Sequence, residues 1–575
     1  MDTRYRYFWA LVLLCFLSLF LFLGESHFHT RGEPREALVA QAMLAENNWT
    51  LPITNGTDIA YKPPLFHWAI ATISSITGKV TEYTSRMPSA IALATMILAG
   101  FIFYARRRGN EVAFLAALIT LTNFEVHRAG FACRVDMLLS ALMVLALYQL
   151  YRWSEQQLKG IPWLGILFLS GAFLTKGPVG MVLPCAVVAC FAWIRGLGFI
   201  RIFIRFFAVA LASCIIPALW YIAAWKQGGD AFLTLILEEN VLRFLGKMTY
   251  ASHENPWPYN VMTVIAGFLP YTLLILVSLF TLKYTPIKGT SKLWWNKFVQ
   301  YIKQMDDTRL FSLLSIVIMF VFYCIPKSKR SVYLLPIYPF IAYFIAEYIM
   351  WLVKHKPQSV RWFNNILCTL AILLTAIFII ARTGLIPHTI FAGKHALENL
   401  AYLNALETLP LSFINLLIIL SPLAIAIMYH YYPKFLAFNK LQRMAIFGGI
   451  ITFAIFFALD GVYQPTVLNV KSNRRIAERV KTLQPEGNVY SYITIMAEGN
   501  RLHPFTLNYY LNGRVVPFID FAPTEGYLFL GEKEYEGFID KYGQTFNLEQ
   551  LPESRFKSND NRDWMYIYHF EKISQ

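Results

Sequence analysis

Residues 31–64 read RGEPREALVAQAMLAENNWTLPITNGTDIAYKPP, a polar island between one apolar segment and a long series of others. Glu33, Arg35, Glu36, Asp58 and Lys62 gather at one end of the first hydrophobic span, a richer mix of charge than a connecting loop requires. Pro34 suits the first turn of a helix, where its missing N–H would be unpaired anyway. That places Glu33 at or near the N-cap, in the positive field of the helix end, which favours an ionised carboxylate. An acid at a helix start is commonly only a cap, so the argument for chemistry rests on its neighbours.

Around this island the composition is that of a membrane. Of 575 residues, 56% are hydrophobic, 16% aromatic and only 15% charged, with a mean hydropathy of +0.45. That is too little charge for a soluble protein of this size. Apolar runs of roughly 18 residues, enough to cross the hydrocarbon core as helices, recur along the chain. The expected fold is an all-α polytopic membrane protein with about thirteen transmembrane helices. They begin at 7–24 and continue near 85–105, 111–126, 135–151, 161–175, 178–194, 206–225, 258–282, 310–326, 331–353, 362–382, 411–431 and 444–463. The first run has a long apolar region with no small-x-small site after it, so it reads as an anchor rather than a cleaved signal.

Alternate loops carry Arg106-Arg107-Arg108, then Arg152 with Lys159, then Arg195, Arg201 and Arg205, then a lysine-rich stretch from Lys283 to Lys303. This positive-inside pattern puts the N-terminus in the cytoplasm. It also accounts for the net charge of +16 without nucleic acid. The other side, expected to be extracytoplasmic, receives the first loop (25–84) with its interfacial helices, Asp136, Lys176, the loop 226–257 and Lys327-Ser328-Lys329-Arg330. It also receives residues 464–575, where Pro465, Pro485, Pro504 and Pro517 separate runs such as NVYSYI, YLFL and WMYIYHF. Two domains follow: a membrane module over 1–463 and a small α/β soluble domain over 464–575. The seven cysteines lie in or beside apolar spans without metal-ligand spacing and read as packing residues. No phosphate loop, dinucleotide fingerprint or serine elbow occurs.

The chemistry gathers on the face of the first loop. Asp136 opens a span in CRVDMLLSALMVLAL, where a carboxylate is costly and faces a cavity. Lys62 precedes Pro63-Pro64, which hold it extended and start a helix with Leu65, Ala69, Thr72 and Ile76 on one side. Lys176, and Arg243 in EENVLRFLGK, add further cations. Such a set suggests a charged lipid bound beside a reactive centre. Snorkelling lysines and arginines are the bland alternative, and they leave the two carboxylates unexplained.

At these residues the chain resembles the integral-membrane glycosyltransferases of the GT-C class, in particular the lipid A aminoarabinose transferases (ArnT type) and the protein O-mannosyltransferases. The resemblance lies in the GEPRE-like string, YKPP, RVDM, TKGP at 175–178, ENVLRF at 239–244 and SKRSVYLLPIYP at 328–339. It implies transfer of a sugar, with inversion, from a polyprenyl phosphate to an extracytoplasmic acceptor, either a lipid A-type glycolipid or a protein hydroxyl. The plasma (inner) membrane is the implied location. It further implies that Lys62 and Arg243 hold the donor phosphate, helped by Arg35, Lys176, the 327–330 cluster (Lys327, Lys329 and Arg330) and Tyr333, and that Glu33 and Asp136 are the catalytic carboxylates. Two departures stand out: Gly32 occupies a place where the family carries an aspartate, and Tyr61 stands where aminoarabinose transferases have a metal-binding glutamate. No cofactor is therefore expected, and a divalent metal is not supported.

A departing polyprenyl phosphate needs cations, and attack by a hydroxyl needs a carboxylate to take its proton. Glu33 is the expected base. A flippase for polyprenyl-linked sugars would need similar cations, and differs in leaving the sugar–phosphate bond intact.

Overall fold

The computed structural model describes residues 3–242, 247, 254–282, 291–393, 395–431, 440–494, 496–497, 500–521 and 523–573. Helices dominate, and the protein is an integral membrane protein. Among the described residues, eight helices are long and apolar enough to cross a bilayer on their own, including Glu82–Arg108, Val135–Glu155, Asp307–Cys324 and Pro357–Arg382. The expected span 258–282 is instead two helices, Tyr259–Gly267 and Tyr271–Leu279, bent by 98°. Four further expected spans coincide with the helices Thr3–Leu19, Asn110–Thr122, Trp163–Lys176 and Val179–Ile194, of 17, 13, 14 and 16 residues. Helix length alone therefore does not fix the count of thirteen.

Local chemistry explains several boundaries. The expected span 111–126 stops at Thr122 because the Asn123 side chain accepts from the Val126 N–H at 3.1 Å and opens a separate short helix, Phe124–Gly130. The span expected at 206–225 runs much further, as Phe199–Leu237, with a break at Gly229 (φ +57°, ψ −145°). The helix Leu65–Thr77 forms where Pro63-Pro64 predicts it. It buries Phe66, His67, Ile70, Ala71 and Ser74 and leaves Thr72 and Ile76 outward, while Leu65 and Ala69 are half-buried and Leu65 packs on the cluster of Leu51 and Leu174.

In lipid the helices gain little from apolar burial as such, so van der Waals fit carries the packing. Tyr104 stacks on Tyr343 at 4.3 Å and Phe103 on Tyr148 at 4.4 Å, joining the central helices. Gly180 lets Val179–Ile194 approach Trp163–Lys176 so closely that a Cβ there would lie 2.9 Å from the Ala172 backbone.

The spans have two chemically distinct ends. At one end Glu347 receives Arg108 and Arg309, Arg195 pairs with Asp307 at 2.6 Å, and Arg107 with Glu155 at 2.7 Å. Over the other end lie the helix Gly32–Glu46, the small hairpin Ile53–Thr54/Asp58–Ile59 and the C-terminal residues. There a sheet runs in the order Val515–Pro517, Val489–Tyr492, Glu525–Gly531, Asp563–Lys572, Phe546–Gln550. Val489–Tyr492 is parallel to both its neighbours and the remaining pairs are antiparallel. The runs NVYSYI, YLFL and WMYIYHF each fall on a strand of this sheet.

This C-terminal unit grips the first loop. Phe505 and Tyr509 pack with Phe28, Ala37 and Phe66. Asn508 Nδ2 donates to Asn55 Oδ1 at 2.8 Å, and Tyr510 donates to Glu82 at 2.6 Å while accepting from the Phe28 N–H at 2.9 Å.

Candidate functional site

Where the C-terminal unit, the first loop and the span ends meet, they enclose a cavity of about 540 Å³. Gly32, Arg35, Glu36 and Val39 line it. Their spacing of three, four and seven residues is one face of the helix Gly32–Glu46. Lys62 and His67 enter from the next segment, Arg134, Asp136 and Ser140 from the start of Val135–Glu155, and Thr175 and Lys176 from TKGP. Phe322, Tyr323, Arg330 and Tyr333 close a third side, and Leu502 and Phe505 form the roof. Among the described residues the lining holds six cations, Arg31, Arg35, Lys62, Arg134, Lys176 and Arg330, against Glu36, Asp58, Asp136 and Glu239.

Glu36 is the hub. Its carboxylate is 4% exposed and accepts from Lys62 Nζ at 2.7 Å, His67 Nε2 at 2.8 Å and Arg35 Nη2 at 3.2 Å. Burial alone would raise its pKa, but Lys62, the His67 hydrogen bond and Arg35 outweigh that and hold it well below the usual carboxylate range. Burial and the neighbouring Arg35 lower the Lys62 ammonium, partly offset by Glu36. Across the cavity Asp136 receives the Lys176 ammonium, which also sits 4.2 Å from the centre of the Tyr333 ring. Arg35, Lys62, Asp136, Lys176 and Tyr333 are thus brought together by the fold.

Glu33 is not brought to the cavity. It lies about 100° around the helix from Gly32 and points back into the protein, where Arg86 grips it with two hydrogen bonds, Nε to Oε1 at 2.8 Å and Nη2 to Oε2 at 3.1 Å. The Cys133 N–H donates to Oε1 as well, at 2.9 Å. Burial pushes the Glu33 carboxyl up, and Arg86 outweighs it to bring the net shift down. Arg86 also donates to the Leu23 and Ser26 carbonyls, so the pair ties the segment that follows the first helix to the helix Gly32–Glu46.

Lys327 and Lys329 also fall outside the lining. The backbone entering the turn Ser331–Ile337 is extended (Arg330 φ −136°, ψ 146°), and Ser328 bridges Glu254. In extended chain alternate side chains face opposite ways. Ser328 and Arg330 therefore enter the cavity, while Lys327 is exposed and Lys329 donates to the Asn255 carbonyl at 3.2 Å. Arg243 lies outside the described residues.

The sequence reading missed Glu36 and His67 as partners, and Arg31 and Arg134 as lining cations; of the expected 327–330 cluster, Arg330 is the cation that lines the cavity. Arg134 lies close against the glycine before Glu33: a Cβ on Gly32 would sit 2.6 Å from its guanidinium Nη2, so a larger residue there would move that cation. Its signal was the RVDM string itself. No group of three or more His, Cys, Asp or Glu among the described residues could hold a metal ion.

Comparison with known proteins gives a consistent picture. Residues 61–226 match the family model of dolichyl-phosphate-mannose-protein mannosyltransferase. A protein of Aquifex aeolicus without an assigned function is 24% identical over 84% of this chain and 83% of its own length. The undecaprenyl phosphate-α-4-amino-4-deoxy-L-arabinose arabinosyl transferase 1 of Proteus mirabilis is 28% identical over 62% of each chain, so the match spans somewhat under two thirds of that enzyme. Among solved structures, ArnT from Cupriavidus metallidurans bound to undecaprenyl phosphate superposes with a TM-score of 0.70, covering 99% of this chain and 98% of that one at 18% identity. The resemblance to GT-C glycosyltransferases read from the motifs therefore holds, both in the family model and in the fold.

Proposed function

We propose that this chain is an inverting glycosyltransferase that moves a sugar from a polyprenyl-phosphate donor to an extracytoplasmic acceptor. The observation that carries the reading is the cavity, which places lysines and arginines beside an apolar flank. Val179, Val182 and Phe322 line that flank, and Val182 is half exposed at the surface of the helix layer. A phosphate held by Lys62, Lys176, Arg134 and Arg330 would leave its isoprenoid tail to run out along these side chains into lipid. The related Proteus enzyme and the undecaprenyl-phosphate complex of the Cupriavidus protein support this donor class.

The residues then divide the work. The cations stabilise the charge that develops on the departing phosphate. Asp136 holds Lys176 in place, on a rigid span. Glu36, in the cavity and beside His67, takes over the role first read onto Glu33: it accepts a hydrogen bond from the acceptor hydroxyl and takes its proton as the new bond to the sugar forms, when that proton has become acidic enough for a weakly basic carboxylate. The acceptor, a glycolipid or a protein hydroxyl, lies under Leu502 and Phe505. The basic ends of the spans mark the cytoplasmic face, so the cavity and residues 464–575 face outward from the plasma membrane.

Undecaprenyl phosphate binding tests the donor assignment. A charged hydrogen bond to phosphate contributes roughly 1.5–3 kcal/mol, so Lys62→Ala should weaken affinity by about one to two powers of ten. Unchanged affinity would remove Lys62 from the site. Mass spectrometry of envelope lipids and glycoproteins, with and without this protein, identifies sugar and acceptor together. A flippase would leave the sugar–phosphate bond intact.

A further inference from the structure

The helix Ser291–Gln304 belongs to none of the site described above. It lies at the end of the membrane layer remote from the cavity. Val179–Ile194 and Asp307–Cys324 each reach the cavity at one end, through Val179 and through Phe322 and Tyr323. Their other ends meet this helix, where Arg195 donates to the carbonyls of Lys303 and Met305. Ile302 and Met305 seat the segment against the core. A second apolar ridge stays uncovered, with Trp295 65%, Phe298 46% and Tyr301 59% exposed, and the Trp295 and Phe298 rings in contact at 5.8 Å.

Charge identifies what covers that ridge. Lys297 and Lys303 are exposed on the same helix. The sequence from Lys283 to Gln304 contains five lysines and no acidic residue. A protein partner of mixed charge would not require such uniformity, whereas an anionic lipid surface does. Aromatic side chains at headgroup depth flanked by lysines are the arrangement such a surface favours.

We propose that Ser291–Gln304 is an interfacial anchor that binds the anionic phospholipid headgroups of the leaflet opposite the cavity. Trp295, Phe298 and Tyr301 enter the headgroup layer, and Lys297 and Lys303 pair with lipid phosphates.

Amide hydrogen exchange of the full-length protein in nanodiscs tests this, comparing phosphatidylcholine alone with phosphatidylcholine containing phosphatidylglycerol. Amides 295–304 should exchange about tenfold more slowly or better in the anionic discs, and added salt should remove the difference. The exposed pair Lys297→Gln with Lys303→Gln should abolish lipid dependence while Val135–Glu155 keeps its protection, showing that the fold survives. Equal protection in both discs overturns the proposal. So does protection that rises with protein concentration rather than with anionic lipid, which would assign the ridge to a second copy of the chain.

Discussion

Glu33 and Glu36 lie three residues apart in one helix and end up in opposite surroundings, one bound to Arg86 inside the protein and the other in the cavity wall. Their separation was within reach of the sequence once the helix start at Gly32 is known, because Gly32, Arg35, Glu36 and Val39 share a face that excludes Glu33. The buried partners that decide each role were out of reach: Arg86 is 53 residues from Glu33 and His67 is 31 from Glu36. The two glutamates should therefore fail differently. Glu36→Gln should keep undecaprenyl phosphate binding and lower turnover by about 10² or more, the scale of general-base loss. Glu33→Gln should cost roughly 3–5 kcal/mol of stability, because it leaves the Arg86 guanidinium buried without its counter-charge; a thermal melt reads this. A Glu33→Gln protein with a wild-type melt and no turnover would reverse the assignment. The stabilisation from Glu36 has a definite pH window. A depressed carboxylate contributes fully above its unfolded value of 4.5 and loses that contribution as pH falls through the lower folded value, so the cavity should withstand acid down to below about 4.5. Asp560 in the C-terminal unit behaves oppositely. Burial raises its pKa to about 6, a rise moderated by the Thr506 N–H and by Arg31. A raised carboxyl favours the native state at low pH and opposes it once ionised. Asp560→Asn should therefore raise stability by up to about 3 kcal/mol at pH 8 and leave it nearly unchanged at pH 4, as melts at the two pH values would show.

At the scale of elements, the apolar runs were legible because lipid demands them, and each expected run coincides with helix. The interruptions were not. Asn123, which ends one helix by capping the next, looks in sequence like an ordinary residue within an apolar stretch. The extended entry to Ser331–Ile337, which turns Ser328 and Arg330 inward and Lys327 and Lys329 away, has no periodic pattern long enough to read. Gly229 is the interruption with most leverage on the site. Its backbone angles (φ +57°, ψ −145°) lie where only glycine is comfortable, and the chain beyond it carries Ile236 and Glu239 to the cavity wall. Gly229→Ala should strain this break by about 1–3 kcal/mol and weaken undecaprenyl phosphate binding, while the spans remain protected in hydrogen exchange. Unaltered affinity would show that the wall at Ile236 and Glu239 takes no part in holding the donor.

For the whole molecule, the alternation of basic loops predicts sidedness. Single cysteines at Thr57 and Asn500 should label from one side of the membrane, and a cysteine at Ser291 from the other. Labelling of Thr57 and Ser291 from the same side would split the arrangement. The strands of the C-terminal unit were legible from their aromatic-rich runs, but its seat was not, because its bonds to the first loop join residues more than 400 positions apart, as Asn508 and Asn55 show. Asn55-Gly56-Thr57 has the Asn-x-Thr pattern of an N-glycosylation acceptor, but Asn55 is 3% exposed and bonded to Asp58 and Asn508 in that seat, so the folded protein offers no room for a glycan there.

The cavity has a flank toward lipid, made by Val179, Val182 and Phe322 from the middle of the chain, and a roof made by Leu502 and Phe505 from its C-terminal unit. A greasy carrier and a water-borne or surface-bound recipient could therefore each arrive through its own medium, neither obliged to cross the other's. If the cavity works as proposed, selection could redraw the roof residue by residue for new recipients while the cationic floor kept working on an unchanged carrier.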